Sequence, residues 1–571
     1  MSTTSTTSNP ISTNGWDSVS ALTYEAVNQA IVALKSSPPS FSISGGSEHS
    51  LAGPYTVSAN FGDWQVTEGG DGQNVWMSLP LNNGVATFPS SDNTYHFSGT
   101  AIIEVKMNYI PQPGSPTGTG TGDSKLLQIL TQSTDNNVPI VSIEELTLDQ
   151  KHMDSTVVAT IQGALLEWLQ DNLQVFNHVF AVADLNVVLS DDEAGFQWLK
   201  PTYVSYAVVD NASLKTSIFG VLAMTRNIAQ YPAPTSHQIS PDAIPSGCNG
   251  GFLVSEERFL TEMLLPGVYL LFYNASPADF TVGNDNTSIV NTAPLFFNLT
   301  DDDDNNYNAK VDAQNFSISI LGQQLSISFT NIVYESGLGV YTHIDYKGIY
   351  VLSSNSSHQL QMDLLYTPTL RTSITLSEGR SWADIGITIA ASIAGAVIGA
   401  VLGGIVDAAV TAGAEAATDT MTTAIVDGAG DALADGGTEV AADASLDEVV
   451  QVAALNAPEV LAEDAAVAAP EVANELAGDG GKTAAKGFLR RMGPKMLGSM
   501  IGGAIGAGIG SIPLILTNIG ADPTDIPSLD EFAEQAISPI TWPNTSGYEM
   551  VSAGLNQSMQ IGINFTAGTP S

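Results

Sequence analysis

On either side of a short turn, the chain from Phe316 to Phe329 alternates apolar and polar residues. Phe316, Ile318 and Ile320 alternate with Ser317 and Ser319, and Leu325, Ile327 and Phe329 alternate with Ser326 and Ser328. Gly322, Gln323 and Gln324 stand between the two runs as a turn. A period of two places all six apolar side chains on one face of a hairpin and all four serines on the other. Strands with one apolar face belong to antiparallel sheets covered on one side.

The same alternation recurs at Phe41 and Ile43 and at Val57, Ala59 and Phe61. A short helix is expected before them, with Val19, Leu22, Ala26 and Ile31 on one face and Pro38–Pro39 as its stop. The longest amphipathic pattern runs from about 149 to 183. Val158, Ile161, Leu165, Leu169, Phe176 and Phe180 recur there at helical spacings, widened by Val157, Trp168, Leu173 and Val179. So broad an apolar face must be buried, either as a core helix against a sheet or as the lining of a lipid-holding groove. Sheet and helix together give an α+β class, a sheet curled around a helix.

Near residue 384 the character changes. Ile385 to Val406 carries no charge, and Gly395, Gly399 and Gly403 share one helix face. Met496 to Ala521 is also charge-free, with Gly498, Gly502, Gly506 and Gly510 at the same spacing and Pro513 as an interruption. Each run is long enough to span a bilayer as a helix, and glycines four apart let helices approach closely. A glycine-zipper hairpin packed on the protein, constitutive membrane helices and conditional insertion are all compatible with the pattern. Between the runs, Asp407 to Asp479 is Ala-rich, with 16 acidic and no basic residues, and is expected to be helical or disordered. Lys482, Lys486, Arg490, Arg491 and Lys495 follow at once. They are candidates for anionic lipid headgroups, or they neutralise the acidic segment beside them.

The expected organisation is a disordered leader at 1–13, a body at 14–380, a glycine-zipper hairpin at 381–521 with its acidic insertion at 407–480, and a C-terminal segment at 522–571 that returns to the body. The leader lacks the basic and apolar regions of a secretory signal, which points to a cytoplasmic location or a non-classical release, with membrane association.

A net charge of −42 argues against nucleic acid as a partner. One cysteine, Cys248, excludes an intrachain disulfide. No pair of the seven histidines has metal-ligand spacing, and there is no HExxH, CxxC or GxSxG. Asp301 to Asp304 lacks the spacing of a calcium loop and reads as a solvated turn. No catalytic residue, metal or cofactor is expected, and the chain is not expected to be an enzyme.

Two motifs carry a resemblance. Asn14-Gly15-Trp16-Asp17-Ser18-Val19-Ser20-Ala21 with Val27-Asn28-Gln29-Ala30-Ile31, and Ile537-Ser538-Pro539-Ile540-Thr541-Trp542-Pro543-Asn544 with Ser552-Ala553-Gly554-Leu555-Asn556, resemble the opening and closing patterns of the clostridial forty-seven-kilodalton-type family, encoded beside botulinum neurotoxins. The resemblance implies a TULIP (tubular lipid-binding) fold, in which strongly curved antiparallel sheets wrap long helices. It also implies association with lipid or phosphoinositide, a protein partner in a toxin complex, and no catalysis. Scaffolding or chaperoning of a partner is an alternative role. Gly15, Trp16, Asp17, Trp542 and Pro543 are carried over as signature residues, with the two tryptophans expected to be structural anchors.

Overall fold

The computed structural model describes residues 9–377 and 529–568, apart from breaks at 50–52, 114–122, 134–138, 150–152, 190–195, 270–271, 273–274, 284–285, 301–305, 338, 355–359 and 366–368. The chain divides into two units. Unit 1 comprises Met1–Arg258 with Ser528–Ser571, and unit 2 comprises Phe259–Pro527. Every pairing between strands is antiparallel among the described residues.

Strands are numbered in chain order. The first sheet of unit 1 runs β25 (Thr545–Asn556), β26 (Ser558–Ala567), β14 (Gly250–Val254), β1 (Ser18–Thr23), β13 (Ile218–Met224), β12 (Tyr203–Val209) and β5 (Asp71–Gly72). The second runs β10 (Val141–Leu148), β7 (Asn93–Val105), β6 (Val75–Phe88), β3 (Tyr55–Phe61) and β2 (Ser40–Gly45), with β4 (Gln65–Val66) also on β6. The third joins β24 (Ile540–Thr541), β11 (Ala181–Leu185), β9 (Asp123–Ile129) and β8 (Met107–Pro111).

Two expected helices are corrected. Val19 and Leu22 belong to β1, and helix α1 begins only at Tyr24 and ends at Leu34. All six residues of β1 are buried, because the strand lies between β13 and β14. A strand buried on both faces loses its period of two and can be mistaken for a helix face. Thr23 caps α1 by accepting a hydrogen bond from the Ala26 amide, and Lys35 closes it in the left-handed region at φ 52°.

The long helix α2 covers Ser155–Asn172, not 149–183. Asp154 caps its start, accepting from the Thr156 amide at 2.7 Å. A 3₁₀ turn at Leu173–Val175 ends it, and residues 181–183 already belong to β11. Phe176 and Phe180 keep helical spacing from Leu169 but sit in the connection after the helix. Helix α2 lies against the outer strands β2 and β10 and against β3 of the second sheet.

The described strands of unit 2 form one sheet. It runs β15 (Phe280–Val282), β16 (Ser288–Asn291), β19 (Phe316–Leu321), β20 (Gln324–Gly337), β18 (Asn306–Val311) and β17 (Leu295–Thr300). The long β21 (Val340–Ser354) pairs with β20, β22 (Leu360–Leu364) and β23 (Thr369–Leu376). The 316–329 hairpin has the register its pattern requires: Phe316 faces Phe329, Ile318 faces Ile327 and Ile320 faces Leu325. Gly322 takes φ +62° at the first position of the two-residue loop, a conformation that glycine reaches without a Cβ clash. The six apolar side chains are buried, and Phe316 and Phe329 meet Phe272 and Tyr346 in the core of this unit.

The described chain starts before the expected end of the leader. Ile11 is buried and forms a parallel bridge to Gln557, and the Asn556 side chain donates to the Asn9 carbonyl at 2.9 Å. Residues 9–13 are thus part of unit 1.

Candidate functional site around the long helix and the terminal signatures

Helix α2 projects Ile161, Leu165 and Leu169 into the core of unit 1, where each is fully buried. Phe176 and Phe180 are buried in the same core from beyond the helix, and Val158 is half-buried. The structure therefore unites five of the six groove candidates and leaves Val158 at the margin. Trp168, half-buried on α2, contacts Phe41 and Phe61 at 5.9 and 5.5 Å between ring centroids. From Phe61 the rings continue through Trp64 to Phe176, which stacks on Trp64 at 5.0 Å. His178 meets Phe180 edge-on at 4.8 Å, Phe180 stacks on Phe219, and Phe219 meets Trp542. An aromatic path thus links the helix to the closing signature.

His178 is buried, and its Nδ1 lies 2.8 Å from the Ser36 Oγ. Ser36 stands just past the end of α1, and its hydroxyl also reaches the Ile31 carbonyl. Burial lowers the ring's pKa from 6.5 to about 4, so the imidazole is neutral at pH 7. Serine and histidine alone do not make a hydrolase. Among the described residues no carboxylate orients this ring, and aromatic rings pack against it. Spacing along the chain gave no sign of the pair, whose members are 142 positions apart.

The opening signature builds a buried junction. Gly15 takes φ +88°. Trp16 is fully buried, donates from Nε1 to the Ser236 carbonyl at 3.0 Å and stacks on Tyr203. The Asp17 carboxylate, with 1% side-chain exposure, accepts from the amides of Thr225 and Arg226 and pairs with the Arg226 guanidinium at 2.7 Å. Arg226 also pairs with Glu257 and lies 4.3 Å from the centroid of the Tyr231 ring. Sequence reading missed Arg226 and Glu257, because pairs across 209 and 31 positions leave no local pattern. In the closing signature Trp542 is buried and donates from Nε1 to the Ser20 Oγ at 3.3 Å, while Pro543 is half-buried beside it.

The headgroup candidates Lys482, Lys486, Arg490, Arg491 and Lys495, the seven zipper glycines, the acidic 407–480 insertion and Asp301–Asp304 lie outside the described residues. Among the described residues no group of three His, Cys, Asp or Glu could hold a metal ion, and no helix is long and apolar enough to cross a membrane.

An α+β architecture of antiparallel sheets with few helices, closed by two terminal motifs, defines the class. The family model described as OrfX-like, "Protein OrfX2/OrfX3/P47", matches residues 13–474, and the chain belongs to this family. Protein OrfX3 of Paraclostridium bifermentans is 32% identical over 293 residues, which is 48% of this chain and 57% of that protein. Protein OrfX3 of Clostridium botulinum (strain Kyoto / Type A2) is 30% identical over 296 residues, again 48% and 57%. The match thus spans a little over half the length of these relatives. The crystal structure of P47 of Clostridium botulinum E1 shares the fold, with a TM-score of 0.51 and 14% identity over 98% of this chain and all of that one.

Proposed function

We propose that the chain is a non-enzymatic lipid- or membrane-binding protein of TULIP type that serves as an accessory component of a toxin complex. The observation that carries the lipid reading is α2, whose apolar face is buried in the core of its unit while the helix lies against both outer strands, β2 and β10, of the second sheet. A trough-shaped sheet around an apolar helix would give that arrangement, and separating the two would expose apolar surface to a lipid chain. Membership of a family whose relatives come from Clostridium botulinum supports the toxin-complex reading.

Organic extraction of the purified full chain, followed by lipid mass spectrometry, tests the first part directly. Flotation with phosphatidylcholine vesicles, with and without phosphoinositide, tests surface binding. Recovery of lipid or flotation is expected, and failure of both removes the lipid reading. Stoichiometric capture of a purified toxin-complex protein without lipid would favour a scaffold role.

The charge-free runs 385–406 and 496–521 favour membrane insertion as a second reading. Vesicle leakage between pH 4 and 7 tests it, and an intact vesicle population across that range counts against it.

A further inference from the structure

An edge strand offers unpaired backbone groups to any other strand, so folded proteins guard their edges with charges, bulges, prolines or shortness. In unit 1 five of the sheet edges are guarded in this way. Strand β10 carries Glu144 and Glu145 and a register shift beside them. Strand β25 has two register shifts and Glu549. Strand β8 ends in Pro111, and β5 and β24 have two residues each. Strand β2 is the exception. Its six residues, Ser-Phe-Ser-Ile-Ser-Gly, pair with β3 in unbroken register and contain no charge and no proline.

The orientation of its backbone follows from one bond. The Phe61 amide donates to the Pro39 carbonyl at 2.9 Å, which makes Pro39 and Phe61 a hydrogen-bonded pair. Such pairs alternate along an antiparallel ladder, so Phe41 and Ile43 turn their N–H and C=O groups toward β3, and Ser40, Ser42 and Ser44 turn theirs outward. All three serines are exposed, and among the described residues nothing bonds their backbone.

We propose that β2 is a homotypic docking edge, which pairs antiparallel with β2 of a second copy of this chain about a two-fold axis at Ser42. The pattern is self-complementary. Ser42 faces Ser42 of the other copy, Ser40 faces Ser44, and Phe41 and Ile43 stay together on one face. Charge also favours this occupant. Two copies at −42 each repel over most of their surface, yet residues 36–47 carry no charge at all. The flanking charges are Lys35 and Glu48, both exposed and opposite in sign.

Sedimentation of the purified full chain over a concentration series, at low and high sodium chloride, reads the association. A dimer is expected that strengthens with salt as the net repulsion is screened. Ser42→Pro removes two on-axis donors and should weaken dimerisation by a factor of about 10 or more. Ser42→Lys should do the same through charge while keeping the backbone, and it decides the matter if the proline variant fails to fold by circular dichroism. In a Cys248→Ser background, Ser42→Cys should form an intermolecular disulfide under mild oxidation, and Ser40→Cys should not. A monomer throughout the series, a dimer that Ser42→Lys leaves intact, or equal cross-linking at 40 and 42 would overturn the proposal.

Discussion

Acidifying the protein from pH 7 to pH 5 should cost unit 1 about 2 kcal/mol through one buried ring, His178. The folded-state pKa of about 4 lies below the ordinary value of 6.5. Between those two values the unfolded chain holds the proton and the folded chain does not. The neutral ring's contribution is therefore complete above pH 6.5 and is lost as pH falls toward 4. A shift of about 2.5 units limits the total loss to about 3 kcal/mol, of which about two-thirds has gone by pH 5.

Six of the seven tryptophans lie in unit 1, so urea unfolding followed by tryptophan fluorescence reports on the right part of the molecule. Carboxylates also titrate on the way down, and a reference that lacks only the ring separates the two effects. His178→Asn can keep the hydrogen bond to Ser36 but carries no titrating group. It should be less stable by about 1–2 kcal/mol at pH 7, from lost contact with Phe176 and Phe180. The gap between the two proteins should then close or reverse by pH 5. Parallel stability curves for wild type and His178→Asn between pH 7 and 5 would refute the reasoning.

Three further perturbations test other parts of the fold. Asp17→Asn removes a buried partner of Arg226 and should cost about 3 kcal/mol in the same fluorescence assay, with part recovered when Arg226→Met is added. Leu165→Ala, at a fully buried position on α2, should cost about 2–5 kcal/mol by urea unfolding. Gly322→Ala forces a side chain into φ +62° and should lower unit 2 stability by about 1 kcal/mol, read as a calorimetric shift; an unchanged transition would show that the turn carries no strain.

The hairpin at 316–329 was legible to the residue because one covered face imposes a strict period of two and a glycine marks the reversal. Strand β1 was not, since burial on both faces erases that period and lets Val19 and Leu22 pose as a helix face. The run from 149 to 183 was overextended for a related reason. Phe176 and Phe180 point into the same core as Leu169 by way of a turn, and spacing alone does not distinguish a helix from a chain that leaves it and returns. Five of the six groove candidates meet in one core with Val158 at its margin, but sequence could not say whether other side chains or a ligand would cover them. Arg226 and Glu257 were beyond reach, because ion pairs across 209 and 31 positions follow from topology alone.

That topology also explains why the motifs with family resemblance sit at opposite ends of the sequence. Strand β1 follows directly on Trp16 and Asp17, and it forms the first sheet with β13 on one side and β14 on the other. Strand β26 then covers β14, and β25 covers β26. The Trp542 indole reaches back to Ser20 within β1, and Ile11 bridges to Gln557 between β25 and β26. The two motifs thus meet in one structural junction, at the Trp542–Ser20 hydrogen bond. Unit 2 is the stretch of sequence inserted between Arg258 and Ser528. A signature built this way records how unit 1 closes, and Trp16, Asp17 and Trp542 are accordingly buried. What such a protein recognises must be sought in groups that this closure leaves exposed.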